Sequence, residues 1–331
     1  MKRNLLTAGI FIALAVTVNL FTGCEKDNGP EVPVPENDSI TMGAGYATDI
    51  FYSLKDGIIA EVPRTNWDIA FSVNAQSSAI LINEAAGVEL KAYPTQEGWT
   101  WNDAVDLTDY DSWDNLYNPD TTWAEGAFGM NATGGLNYGW GDYNMATHNV
   151  EGVSLYIIKT RSGAMMKIFI EMKYSSQQRY TFKYAGLDGK AEQSVDLDCS
   201  TSEANFVYYS LDDNLRLDRE PAKDSWDMVF TKYVDNTMVY PVTGVLTNEG
   251  VESIEKDATT IDDVLWSVDD YSDDINIIGS DWKSFDMENM KYVVEEGRVY
   301  IVKNMEGKEY LLHFTGFDMT NGRALFTKLE N

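Results

Sequence analysis

The chain predicts an all-β protein built as two tandem antiparallel domains of one type. Three observations carry this. Blocks of sequence recur in the same order: Trp67-Asp68-Ile69-Ala70-Phe71 returns as Trp226-Asp227-Met228-Val229-Phe230, each after an opener, Tyr52-Ser53-Leu54 and Tyr209-Ser210-Leu211. A second block, Tyr156-Ile157-Ile158-Lys159, returns as Tyr300-Ile301-Val302-Lys303, with Gly163, Arg179 and Phe182 matched at Gly307, Arg323 and Phe326. That period is too long for a solenoid or a propeller blade. Finally, apolar residues alternate with polar ones: Met166, Ile168, Ile170 and Met172 in one run, and Tyr180, Phe182 and Tyr184 in the next. Period-two patterning places one face of each run in a core.

From the N-terminus, Lys2 and Arg3 precede an apolar run from Leu5 to Leu20, and small residues lead to Cys24. The run is too short and wrongly flanked for a spanning helix, and reads as an export signal over 1–23. Leu20-Phe21-Thr22-Gly23-Cys24 resembles the lipobox of bacterial lipoproteins, with Phe21 a departure from the usual aliphatic residue. The resemblance implies acylation of Cys24 and a chain tethered to a membrane, not inserted in it. The acidic Glu25-Lys26-Asp27 after it resembles the export tag of surface lipoproteins, and Pro30, Pro33 and Pro35 make 24–42 an extended tether.

The two domains are expected at 43–187 and 203–331, separated by a Gly-, Ser- and Asp-rich stretch. Turn chemistry divides the strands, as at Lys55-Asp56-Gly57, Arg161-Ser162-Gly163, Glu306-Gly307 and Thr320-Asn321-Gly322. No long segment has a helical period, although 262–268 suits one short turn. The middle of each repeat is irregular and acidic, as in Asp109-Tyr110-Asp111 and Asp269-Asp270-Tyr271. It lacks the Gly and closing Glu of an EF-hand loop and reads as a solvated surface loop.

Formal net charge is -28. Such a surface repels phosphate backbones, so nucleic acid is excluded as a partner. Only Cys199 remains once Cys24 is set aside, so no internal disulfide is available. Cys199 has no assigned role.

The chemistry-bearing constellation lies before the Tyr156 strand. Trp140, Tyr143, Met145 and His148 match Trp282, Phe285, Met287 and Met290 in the second copy. Imidazole nitrogen and thioether sulfur both ligate iron, and aromatic walls suit a porphyrin face, which points to haem at Met145, His148, Met287 and Met290. The ordinary alternative is that Met and aromatic residues of a strand-rich chain are core, and that His148 simply hydrogen-bonds. Lys159, Arg161, Lys167, Lys173, Arg179 and Lys183 concentrate in one segment, and would either meet haem propionates or point outward from exposed strands.

The lipobox, the Tyr-Ser-Leu opener, the Trp-Asp-aliphatic-x-Phe strand, the Tyr-Ile-x-Lys strand and the Tyr180-Thr181-Phe182-Lys183-Tyr184 ending together resemble the HmuY family of secreted or lipid-anchored haem-binding proteins. The resemblance spans most of both repeats. It implies an all-β fold that takes haem between two His or two Met ligands and passes it to an outer-membrane receptor, from a lipid-anchored position on the cell surface. With only His148 and His313 present, neither repeat can build a two-His site alone. Met145 is the nearest carry-over for one ligand, and Met130 is an option for the other.

The alternative is a non-haem adhesion or glycan- or protein-binding module, its Trp99, Trp101, Trp113 and Trp123 stacking on sugars. No nucleophile elbow, metal-binding His pair or phosphate loop is present, so an enzyme is not expected.

Overall fold

The computed structural model describes residues 34–95, 99–258, 264, 266 and 270–331. The signal, Cys24, the acidic tag and most of 262–268 lie outside the described residues. Every long element is a strand, and no α-helix occurs among the described residues.

In chain order the first repeat supplies β1 (Glu36–Thr41), β2 (Thr48–Ser53), β3 (Gly57–Pro63), β4 (Ile69–Ser72), β5 (Ile80–Ile82), β6 (Glu89–Ala92), β7 (Gly141–Asn144), β8 (Asn149–Gly152), β9 (Leu155–Lys159), β10 (Met165–Tyr174) and β11 (Arg179–Gly186). The second supplies β12 (Gln193–Asp198), β13 (Phe206–Ser210), β14 (Leu215–Leu217), β15 (Met228–Asp235), β16 (Tyr240–Thr247), β17 (Glu252–Asp257), β18 (Lys283–Asp286), β19 (Lys291–Val294), β20 (Arg298–Lys303), β21 (Glu309–Asp318) and β22 (Arg323–Glu330). Two of these strands fall where loops were expected. Glu36–Thr41, placed in the tether, is β1, and Gln193–Asp198, placed between the domains, is β12. In β12 Val195 and Leu197 alternate with polar residues, whereas β1 is polar apart from the buried Ile40.

The strands pair across the repeat boundary. One small sheet has the order β14-β13-β4-β5 and the other β16-β15-β2-β3. The opener strand of the second repeat, β13, thus lies against β4 of the first, with Tyr208 opposite Ala70. The opener of the first repeat, β2, lies against β15 of the second, with Tyr52 opposite Met228. The leading strands follow the same rule: β12 pairs with β11, and β1 with β22. The first three strands of each repeat complete the core of the other. Residues from β4 to β14 therefore form one contiguous module, and β1–β3 with β15–β22 form the second. Neither coincides with 43–187 or 203–331.

In the first module, β10 carries β11 on one side and divides its other side between β9 and β8. β8 approaches β10 so closely that a Cβ on Gly152 would lie 1.8 Å from the Ile170 carbonyl oxygen, a position only glycine fills. Ile168, Ile170, Tyr180 and Phe182 face Phe71, Val207 and Tyr209 across the sandwich. The second module repeats this with Tyr300, Leu312, Phe314 and Phe326 against Ile50, Tyr52, Met228 and Phe230. The opposite faces of the small sheets carry Ala70, Leu81, Phe206 and Tyr208 in one and Phe51, Val229 and Leu246 in the other, and Trp123 packs against both. Trp67 and Trp226 sit in this middle layer, not in the module cores, stacked edge-on to Tyr208 and Phe51 at 4.9 Å each.

The exchange sets where the chain can be cut. A fragment of residues 65–221 should fold alone as a β protein with cooperative thermal unfolding, whereas 34–201, which ends before β13, should not. Circular dichroism melts of both fragments check this, and cooperative folding of 34–201 would show that the first repeat closes on its own opener.

Candidate functional site

Each module projects one short hairpin, β7–β8 in the first and β18–β19 in the second, held at its base by a buried tryptophan, Trp140 or Trp282. Trp140 Nε1 donates to the Ser78 carbonyl at 3.0 Å. The pairs Asn144–Asn149 and Asp286–Lys291 close the two ladders and leave four-residue turns. A short polar side chain starts each turn. Asn144 Oδ1 accepts from the Ala146 and Thr147 amides at 2.9 and 3.2 Å, and Asp286 Oδ1 from the Glu288 and Asn289 amides at 2.9 and 3.1 Å. This Asx geometry is why Asn and Asp occupy that place. The fourth turn residue is left-handed in both, His148 at φ 59° and Met290 at φ 51°. Non-glycine residues pay strain there, Met more than His.

All four predicted ligands stand in these two turns. Met145, Met287 and Met290 are 70, 75 and 65% exposed, which removes the core explanation for them. Each turn brings its two candidates together on one tip, Met145 with His148 and Met287 with Met290. Two residues on one tight turn reach an iron from the same side, so one tip supplies one axial ligand. Met130 is 47% exposed and lies in the loop that leads to β7, where the Tyr143 amide donates to the Leu136 carbonyl at 2.7 Å.

Of the four tip candidates only His148 lines a groove; Met145 does not line the first groove, and Met287 and Met290 do not line the second. In the first module His148 Nδ1 and the Tyr143 hydroxyl are 2.6 Å apart, and Tyr138, Tyr143, His148 and Val150 line a groove of about 380 Å³. When Nδ1–H donates to Tyr143, Nε2 keeps its lone pair free, the arrangement that orients a metal-ligating imidazole. In the second module a groove of about 500 Å³ is lined by Tyr292, Val294, Phe317 and His313. Burial holds His313 below the ordinary imidazole value. His313 is a possible ligand that sequence reasoning left aside, because it lies on β21 away from the matched block.

The basic cluster does not form a free positive face. Lys159 pairs with Glu89, Arg161 with Asp68, Asp212 and Asp213, Arg179 with Asp196, and Lys183 with Glu171. Lys167 and Lys173 are buried, the first donating to the Trp101 carbonyl at 2.5 Å and the second to the carbonyls of Asn74 and Ser77. Strand alternation suggested outward lysines, but backbone acceptors drew two of them in.

Within the Trp-rich segment, Trp101 and Trp113 pack against neighbouring side chains and Trp123 lies in the middle layer. Lys167 and Lys183 cover the Trp101 ring at 4.4 and 5.0 Å, and Trp113 packs on Tyr93 and Tyr110. Burial pushes the Cys199 thiol up to about 12, which leaves it a protonated core residue. Among the described residues no group of three or more His, Cys, Asp or Glu is placed to hold a metal ion, and no helix is long and apolar enough to cross a membrane.

No family model and no curated protein matches the chain. Similar solved structures include apo PinO from Porphyromonas gingivitis, at 10% identity over 90% of this chain and 98% of that one, with a TM-score of 0.33. A protein of Bacteroides fragilis described as a lipoprotein aligns at 13% identity over 50% of this chain and 88% of its own, with a TM-score of 0.24. A protein of Bacteroides vulgatus described as HmuY-like and haem-binding aligns at 15% identity over 56% and 93%, with a TM-score of 0.23. At these values no residue role carries over from them.

One buried amine beside the second groove gives a pH signature. Lys283 donates to the Thr243 carbonyl at 2.5 Å and lies over the Trp282 and Phe317 rings at 4.2 and 5.0 Å. Burial lowers it to about 7, partly opposed by Asp281. Between about 7 and the ordinary lysine value of 10.5 the unfolded chain holds a proton that the folded state has released. Stability therefore rises with pH through this window and levels off below about 7, where the folded and unfolded chains both hold the proton. Lys283→Met should flatten the stability profile from pH 7 to 10 in urea denaturation. An unchanged slope would place the amine in water.

Proposed function

We propose that this chain is a lipid-anchored surface protein of the HmuY-like type that takes up haem for iron acquisition, with the tip of the β7–β8 hairpin supplying an axial ligand. The observation that carries the reading is the position of the matched side chains. Thioethers and an imidazole stand exposed at the same turn of both modules, where packing gives them no reason to be. The first module is favoured because His148 is oriented by Tyr143 and flanked by the Tyr138 and Tyr143 rings. Met145 or His148 would hold the iron there, and Met287 or Met290 in the second module. Haem would supply the iron centre and its redox couple, and thioether ligation favours the reduced metal. With every cation of the basic segment already paired or buried, binding rests on the axial ligand and the aromatic wall. Cys24 supplies the anchor at the outer membrane, and an outer-membrane receptor is the partner that would accept the haem.

Titrating haem into the mature chain, oxidised and reduced, should give a saturable Soret shift. Met145→Ala or His148→Ala should weaken it more than Met287→Ala or Met290→Ala. A featureless titration in both redox states rejects haem binding, and an equal response to all four substitutions rejects the assignment to the first module.

The anchor is tested separately by expressing the full precursor in a bacterium. The wild-type chain should partition with membranes and Cys24→Ser should release it. Equal partition of the two would remove the lipoprotein assignment.

A further inference from the structure

The two hairpin tips are not equivalent. The first carries a thioether and an imidazole, and its imidazole lines an aromatic groove. The second carries two thioethers, Met287 and Met290, and neither lines the groove of its module. A porphyrin needs an apolar wall beside its ligand. A bare metal ion does not.

Met287 and Met290 are the first and last residues of the turn that the Asp286–Lys291 pair closes. The ends of a tight turn lie within about 7 Å of each other at Cα, and the unbranched methionine side chain adapts its reach. Both sulfurs can therefore meet one ion from the same side. That arrangement gives haem a single axial ligand, but it is what chelation of a small ion requires. The turn is held in shape by its own side chains. Asp286 Oδ1 accepts from the Glu288 and Asn289 amides, and Asn289 Nδ2 donates to Asp286 Oδ2 at 2.7 Å.

Packing explains neither methionine. Both are exposed, and Met290 sits at φ 51°, a left-handed position that glycine fills without strain and asparagine with little. Met130, Met238, Met305 and Met319 are exposed too, but none has a second thioether or an imidazole within three residues of it.

The donor set selects the metal. Thioether sulfur is soft and uncharged, and it favours copper(I) over the harder divalent ions. Asp286 and Glu288, against Lys291, give the turn a negative balance that favours a cation. Cys199, the only thiol among the described residues, is buried and does not compete.

We propose that the second hairpin tip is a soft-metal site in which the Met287 and Met290 sulfurs chelate copper(I). Copper there competes with iron at the second tip only. The favoured haem assignment, to the first tip, stands or falls separately.

The test uses the mature chain carrying Cys24→Ser. It is titrated without oxygen with copper(I) supplied as its acetonitrile complex, and in parallel with silver(I), a redox-stable ion of the same softness. Binding is followed by the methionine methyl resonances in carbon–proton NMR spectra, with calcium as the hard-cation control. Both soft ions should move the Met287 and Met290 signals together and saturably. Met287→Leu and Met290→Leu should each weaken binding at the remaining methyl roughly tenfold or more, the scale of a lost contact at a metal. Met290→Asn, which relieves the backbone strain, should weaken it as much, and Met305→Leu should leave it unchanged. Methyl signals that neither soft ion moves overturn the proposal. So does binding at one methyl that survives loss of the other, or calcium moving the same signals as silver(I).

Discussion

Both modules depend on a buried carboxyl group that holds a strand borrowed from the other repeat. Asp227 accepts from the Leu54 amide at 2.7 Å, and Asp68 accepts from the Leu211 amide at 2.8 Å. The backbone completes each clamp: the Asp68 amide donates to the Tyr209 carbonyl and the Asp227 amide to the Tyr52 carbonyl, both at 2.9 Å. Both carboxyls are raised from the ordinary aspartate value, with burial the largest cause and these amide bonds opposing it. The Trp-Asp motif is therefore a device for accepting the end of an opener strand where water cannot. Asn83 and Asn248 back it by donating to the carbonyls of Trp67 and Trp226 at 3.0 and 2.8 Å. The first clamp is the stronger, since Arg161 also donates to Asp68 at 2.7 Å and ties in Asp213.

The exchange orders the folding problem. The first module is contiguous from β4 to β14, so it can close as soon as β13 has been made. The second must wait for β15–β22 before β1–β3 find their partners, and β1 pairs with β22 at the far end of the chain. Such long loops slow closure through chain entropy. The arrangement is that of a strand-exchanged dimer whose two copies are joined in one chain.

The strands were legible in the sequence because alternation survives in Ile168 and Ile170, and in Tyr180, Phe182 and Tyr184, all of them core residues. What alternation cannot express is which copy a strand joins. β2 and β13 present the same apolar faces, Ile50 and Tyr52 or Val207 and Tyr209, so either would fill either core by pattern alone. Strict alternation also misplaces Trp67 and Trp226. They lie two residues before Ile69 and Met228, which strict alternation would put on the core face, but the pleat begins only after the clamping aspartate. The ligand candidates were found by matching the repeats. Their exposure was not legible, because Met in a strand-rich sequence is usually packed.

The hairpin tips and the middle layer differ in origin. Each hairpin tip is built inside one module and would exist in a single copy of the repeat. The middle-layer cleft walled by Phe51, Trp67, Trp123, Tyr208 and Trp226 would not. Its walls join Trp67 of the first repeat to Tyr208 of the second, and Phe51 of the first to Trp226 of the second. Those contacts follow from the opener strands crossing over, which brings the outer faces of two small sheets together around Trp123. A single copy closing on its own opener has no second sheet to face, so the aromatic walls of the cleft are properties of the duplicated, exchanged chain alone.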